Sequence, residues 1–215
     1  MLRVGLSREK VLAAALALVD REGIAALSMR KLGSELGVEA MTLYYYVPNK
    51  DAVLDGLIDM AVSRVTVEPV GPWREWLRAF AVAIRRELLA HPALLPLVAT
   101  RPVLAPGGLA TVERMAAALR AEGFGALEGL QLVNAVATFV VGHTLAEAGR
   151  TPGHDEPDVT GVMESLDPGE YPVLVEALRA GLGTPEDHQE RFDRALDALL
   201  HGLAPAVVRR RGTRG

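Results

Sequence analysis

Apolar residues recur along this chain at three- and four-residue steps almost from end to end. No run alternates with the two-residue period of a half-buried strand. The pattern predicts an all-α protein. Val11, Leu12, Ala15, Leu16 and Val19 form the stripe of a first helix, opened by Ser7 as N-cap and closed at Gly23, with Arg21 near the negative end of its dipole. Ser28 caps a short second helix that runs through Leu36 and stops at Gly37. A third extends from about Glu39 to Tyr45, and Pro48 interrupts the chain after it. Asn49 caps a fourth helix that reaches about Val65, with Asp51 and Asp55 in or near its first turns. Past the turn Glu68-Pro69-Val70-Gly71-Pro72, a long amphipathic helix over 73–90 carries Trp76, Leu77, Phe80, Ile84 and Leu88. A short helix to about Thr100 lies between breaks at His91-Pro92 and Pro102. Helices are predicted over 107–121, 125–149, 171–181 and 185–208, a mobile loop rich in Pro, Gly and acid over 150–170, and a disordered basic tail over 209–215.

The informative stretch is Leu32 to Tyr46, LGSELGVEAMTLYYY. Two short helices joined by a tight turn must cross steeply, as in a helix-turn-helix. Gly33 lets the second helix approach its partner, and Gly37 supplies the positive φ that the turn needs. Leu32, Leu36, Val38 and Leu43 point into a small core. Glu39, Ala40, Met41, Thr42, Tyr44 and Tyr45 are left mostly outside, on the face that a recognition helix offers to the major groove. An ordinary surface helix carries Lys, Glu and Arg, whereas this one carries Thr and adjacent tyrosines. Hydroxyls bond phosphates or base edges, and rings pack on sugars and thymine methyls. The alternative reading packs the tyrosines between head and body, with Tyr46 the most buried of the three. The residues assigned to DNA contact are Ser28, Met29, Arg30, Ala40, Thr42, Tyr44, Tyr45, Tyr46 and Lys50.

A net charge of −4 is unpromising for nucleic acid, but its distribution changes the picture. Residues 1–50 carry seven Lys/Arg against five Asp/Glu, and the remainder carries 16 against 22. All three lysines, Lys10, Lys31 and Lys50, lie in that mildly basic head. There is no cysteine, hence no disulfide framework or thiolate metal site, as suits a reducing cytosol. No signal-peptide pattern opens the chain. The most apolar stretch, Leu130 to Ala148, is broken by Gln131, Asn134, Thr138, His143 and Glu147. It is expected to be a buried helix of a cytoplasmic protein, with no membrane partner.

The run LSMRKLGSELGVEAMTLYYYVPNKDAVLDGL closely resembles the DNA-binding head of the tetracycline-repressor (TetR) family of bacterial regulators. It has the family's Leu-Tyr pair in the recognition helix, an aromatic close behind, and Asn-Lys opening the next helix. The body is more distantly similar to the tetracycline-repressor branch: Thr100-Arg101-Pro102, Gly123-Phe124 and the long loop fall in order. The resemblance implies an all-α, Ω-shaped homodimer whose two heads read the halves of a palindromic double-stranded operator. It also implies a dimer bundle built from residues 125–149 and 185–208 of each chain. The near-continuous apolarity of the first of these helices, and the stripe Leu196, Leu199, Leu200, Leu203 on the second, support that bundle independently. The division implied is a helix-turn-helix domain over 1–48, a connecting helix over 49–66, a ligand-binding and dimerisation domain over 67–208, and the tail.

The resemblance further implies a small-molecule effector pocket. By position its lining comprises Thr66, Phe80, Ile84, Leu97, Arg101, Met115, Leu130, Asn134 and Ala137; the alternative is that these positions are plain core. Leu97 replaces the metal-coordinating histidine of the tetracycline binders, and Phe80 and Met115 replace polar amides. The expected effector is therefore hydrophobic rather than magnesium-tetracycline, with Asn134 and Arg101 as polar anchors and no cofactor. The reading is of a ligand-released repressor, and not of an enzyme: no Ser/His/Asp order, HExxH, P-loop or GxGxxG is present. His143 and Glu147 have the i, i+4 spacing of a ligand pair, but they read as a polar contact at the dimer seam, and no metal site is assigned. The rival is a helical ligand-binding or scaffolding protein that has lost DNA binding, against which Arg30, Thr42, Tyr44 and Lys50 speak.

Overall fold

In a computed structural model of the chain, residues 5–148 and 159–203 are described. The centre of the expected loop, the end of the last expected helix and the expected tail lie outside them. The described residues form eleven α-helices and no strand. They are α1 (Arg8–Glu22), α2 (Met29–Glu35), α3 (Ala40–Leu43), α4 (Lys50–Ser63), α5 (Trp73–Ala90), α6 (Leu95–Thr100), α7 (Pro106–Ala121), α8 (Ala126–Ala148), α9 (Val159–Glu164), α10 (Pro172–Arg179) and α11 (Pro185–Gly202). Short 3₁₀ turns, Ile24–Ala26 and Pro92–Leu94, precede α2 and α6.

Local chemistry sets where the helices begin. Ser7, Ser28, Asn49 and Thr184 each turn a side-chain oxygen onto the backbone N–H three residues on, at 3.3, 3.2, 2.8 and 3.2 Å. Each such cap stabilises its helix by about 1 kcal/mol. Pro106, Pro172 and Pro185 occupy the first turns of α7, α10 and α11, where a missing N–H leaves no bond unmade.

Two apolar clusters form. The first joins α1 to α4 through Val11, Leu12, Leu16, Val19, Leu32, Leu43, Val53, Leu57 and Ile58, and it also takes in Leu94 and Leu97 from beyond α5. The second fills the body with Trp73, Trp76, Phe80, Leu88, Met115, Leu119, Val136, Val140, Phe192 and Leu196, drawn from α5, α7, α8 and α11. The head is thus welded to the body by the stretch around α6, and the seam between them does not fall at one point of the sequence.

Two expectations need correction. The stretch read as one long loop contains α9, where Val159, Val162 and Met163 follow the three- and four-residue steps of a helix between Pro- and Gly-rich flanks that mask the period. The leucine stripe of α11 does not face outward. Leu196 and Leu200 are buried in the chain's own body core, with Leu199 and Leu203 packed against it. The outward face of α11 is polar instead, a groove of about 590 Å³ lined by Glu186, Gln189, Glu190, Asp193, Arg194 and Asp197. α8 keeps an open apolar side: Leu132, Val136 and Val140 face the core while Leu127 is 69% and Leu130 44% exposed. By length and composition α8 could span a membrane, but it is held between α5, α6 and α7.

Where α5, α8 and α11 meet, a polar group is buried. The Arg85 guanidinium, 9% exposed, grips both carboxylate oxygens of Glu147 at 2.9 Å and donates to Gln189 at 2.6 Å. It also lies 4.7 Å over the Phe192 ring. Removing one member of such a pair leaves the other charge buried and uncompensated. Arg85→Met is therefore expected to lower unfolding stability by about 3–5 kcal/mol, read from urea denaturation followed by circular dichroism. Arg85→Met with Glu147→Leu should recover most of the loss.

Candidate nucleic-acid interface

The crossing of α2 and α3 rests on Gly33. A Cβ there would lie 2.8 Å from the Val38 carbonyl oxygen and 3.1 Å from the Ala40 nitrogen, so only glycine admits the approach. The Gly33 carbonyl in turn accepts from Val38 N–H at 2.9 Å, and Gly37 turns the chain with φ 64°. α3 is only one turn long, shorter than the sequence pattern suggests. Its end tightens: Tyr46 and Val47 N–H both reach the Leu43 carbonyl at 2.9 Å, which carries the helical path to the end of the tyrosine run. Leu43 is fully buried beneath it.

The face left outside is apolar and aromatic. Tyr45 is 89%, Met41 70% and Tyr44 43% exposed, and the Tyr44 and Tyr45 hydroxyls have no partner among the described residues. Ala40 and Thr42 are half-buried between these and the core. Met29 and Tyr46 pack against the head core. Ser28 is exposed but its hydroxyl oxygen is engaged as the cap of α2. Of the residues expected to contact DNA, Arg30, Tyr44, Tyr45 and Lys50 are thus exposed, while Met29 and Tyr46 support the head core.

The head's cations divide into two sets. Arg21 bridges Glu22 at 3.0 Å and Glu35 at 2.7 Å, and Lys31 closes on Glu22. That network ties α1 to α2. The hydrogen bonds from Lys31 and Arg21 hold the Glu22 carboxyl below the usual carboxylate range. Arg8, Arg30 and Lys50 are exposed with no carboxylate partner among the described residues, and so are free for phosphate. Met41 is exposed, as its place on the outer face of α3 led one to expect, and the free Arg8 was not singled out by the sequence pattern. Arg8 begins a capped helix and reads as ordinary surface charge.

α4 connects this surface to the body on two sides. Gly56 lets Leu12 of α1 lie against it, where a Cβ would come within 2.6 Å of the leucine's methyl. On the other side Arg101, at the end of α6, donates to Asp55 at 2.8 Å and Asp51 at 3.1 Å, and these bonds, Asp55 first, raise the guanidinium pKa. Asp59 accepts from Gly108 N–H at 2.8 Å in the first turn of α7. Near the end of α4, Arg64 meets Glu87 at 2.9 Å, and His91 is 2.8 Å from Asp20 of α1.

The residues expected to line an effector pocket are distributed unevenly. Phe80 and Met115 are buried together in the body core with Ile84 packed against it, while Leu97 lies in the head cluster. Arg101 is engaged with α4. Ala137 is half-buried, and Thr66, Leu130 and Asn134 are exposed, the last two on the open side of α8.

Two short helices packed together on a glycine, the first capped by Ser28 and the second exposing tyrosines, define a helix-turn-helix regulator of transcription. Residues 11–57 match the bacterial regulatory proteins of the tetR family, and residues 67–207 match the tetracycline repressor-like C-terminal domain. An HTH-type transcriptional regulator of Saccharopolyspora erythraea is 37% identical over 203 residues, covering 93% of this chain and 85% of that protein. The HTH-type transcriptional repressor DrrR1 of Streptomyces coeruleorubidus is 33% identical over 225 residues, covering 96% and 80%. The crystal structure of the Streptomyces coelicolor TetR family protein ActR in complex with actinorhodin superposes with a TM-score of 0.75 at 30% identity, covering 93% and 96%. This chain belongs to the TetR family.

Gly33→Ala tests the crossing. The added methyl meets backbone, which cannot rotate away, so a loss of about 1–3 kcal/mol is expected in thermal unfolding of the head. Ser34→Ala, on an exposed neighbour, should leave the transition unmoved.

Proposed function

We propose that the protein is a repressor that binds a palindromic operator as a homodimer and releases it when a mostly hydrophobic small molecule binds the body. It acts in the cytoplasm, where the chromosome is, and has no catalytic role. The observation that carries this reading is the exposure of Tyr44 and Tyr45 on the helix-turn-helix, together with the exposed, unpaired Arg30 and Lys50 of the neighbouring helices. Arg30 and Lys50 hold the phosphates, while the hydroxyls and rings meet base edges and thymine methyls. Lys50 begins α4, so its ammonium and the positive end of that helix act on the same phosphate.

A second copy of the chain would cover the open apolar side of α8, giving Leu127, Leu130 and Leu145 the burial they lack alone. In that dimer the polar outer face of α11 forms the rim. The effector would lodge by Phe80, Ile84 and Met115, with Asn134 as its polar anchor at the α8 seam. Arg101 then acts as a link from the body to α4 rather than as a ligand contact. The bound actinorhodin of ActR supports a small-molecule effector of some kind.

Selection of bound DNA from a random pool tests the function. A palindrome with two half-sites is expected, and no enriched sequence would favour a scaffolding protein instead. On the selected site, Tyr44→Ala and Lys50→Ala should both weaken binding. Lys50→Ala should also flatten the plot of log affinity against log salt by about 0.9 for each phosphate left without its cation. Unchanged affinity in both variants would overturn the contacts assigned.

A further inference from the structure

The buried polar group around Arg85 contains more than an ion pair needs. His143 and Glu147 lie one turn apart on α8, and His188, from the start of α11, joins them. One ligand atom from each of the three lies within 4.8 Å of the others. His143 Nε2 is 3.9 Å from Glu147 Oε2 and 3.2 Å from the His188 carbonyl oxygen. Arg85 alone satisfies the Glu147 charge, which leaves the convergence of two imidazoles on that carboxylate unexplained by the salt bridge.

We propose that His143, Glu147 and His188 form a binding site for a divalent transition metal, zinc in the first instance, that clamps α8 to α11. Two imidazoles and one carboxylate are the donors zinc takes, with a fourth position open to water. Because Arg85 already offsets the carboxylate charge, affinity rests on the nitrogen donors. That favours zinc over magnesium or calcium, which need several oxygen ligands.

The surroundings fit such a centre. The His143 side chain is largely buried, 13% exposed. The ring lies against the stacked Phe139 and Phe192, at centroid distances of 5.7 and 5.3 Å, which form an apolar wall on one side. Arg85, itself fixed by Gln189, orients the carboxylate from behind, the role that outer-shell partners have at metal sites. Loading requires the donors to close in by about an ångström, to the spacing that 2.0–2.2 Å metal bonds impose. The proton that His143 Nε2 shares with the His188 carbonyl moves to Nδ1. Arg191, which contacts His188 Nδ1 at 2.7 Å, swings away and keeps its bond to Asp187 at 3.0 Å.

The full chain, stripped with chelator, would be titrated with zinc chloride by calorimetry and with cobalt(II) by visible absorption. The expected result is one zinc per chain, an intense cobalt spectrum of tetrahedral type, a higher melting temperature with zinc, and no response to magnesium. His188→Ala and His143→Gln should each weaken zinc by about tenfold or more and abolish the cobalt band. His188 is only half-buried, so its variant keeps the fold, checked by circular dichroism. Absence of zinc uptake by the wild-type chain overturns the proposal, as does uptake unchanged in His188→Ala. Either result leaves the DNA-binding reading untouched.

Discussion

α4 is held on both sides at once, and the rest of the molecule is organised around that constraint. Its apolar side, with Val53, Leu57 and Ile58, completes the head core, and Gly56 lets α1 close on it. Its acidic side, with Asp51, Asp55 and Asp59, is bonded to Arg101 and to the backbone at the start of α7. Lys50 stands at its first position. Neither core can shift against α4 without breaking packing or charged hydrogen bonds. The bonds to the partly exposed Asp51 are individually weak. Their effect is geometric, since Arg101 spans two carboxylates one turn apart on the same helix.

Most of the head was legible in the sequence because its determinants are local. Ser28, Gly33, Gly37 and Asn49 act on neighbours within a few residues, and their meaning survives without tertiary context. The capped starts of α1, α2 and α4 and the close approach of α2 to α3 follow from them. The length of α3 did not, because a one-turn helix with a tightened end has the same apolar spacing as a two-turn helix. α9 was hidden for the converse reason: the Pro- and Gly-rich residues around it dominate the local composition. Met41, expected on the outer face of α3, is exposed, whereas the freedom of Arg8 was not legible, since it depends on what else fills the neighbourhood.

The body was less legible, and its departures share one cause. A helix stripe states that a face is apolar but not which neighbour buries it. The leucines of α11 could serve a partner or the chain's own core, and the structure gives them to the core. Leu97 could line a pocket or support the head, and it supports the head. Arg101 could anchor a ligand or brace a helix, and it braces α4. The His143–Glu147 pair gained a third donor only when α11 folded back onto α8. In each case a long-range pairing decides between readings that are equivalent along the chain.

If the body fixes the position of the DNA-reading face through α4, the distance between the two heads depends on Arg101. Because the chain has no cysteine, Ser34→Cys, on the exposed side of α2, gives one spin label per head without further changes. Pulsed electron–electron resonance on the labelled protein would measure the distance between the two heads, in the parent and in Arg101→Ala. A narrow distribution in the parent that broadens or shifts when Arg101 is removed, with an accompanying change in operator affinity, is the predicted result. The same distribution and the same affinity in both proteins would contradict it.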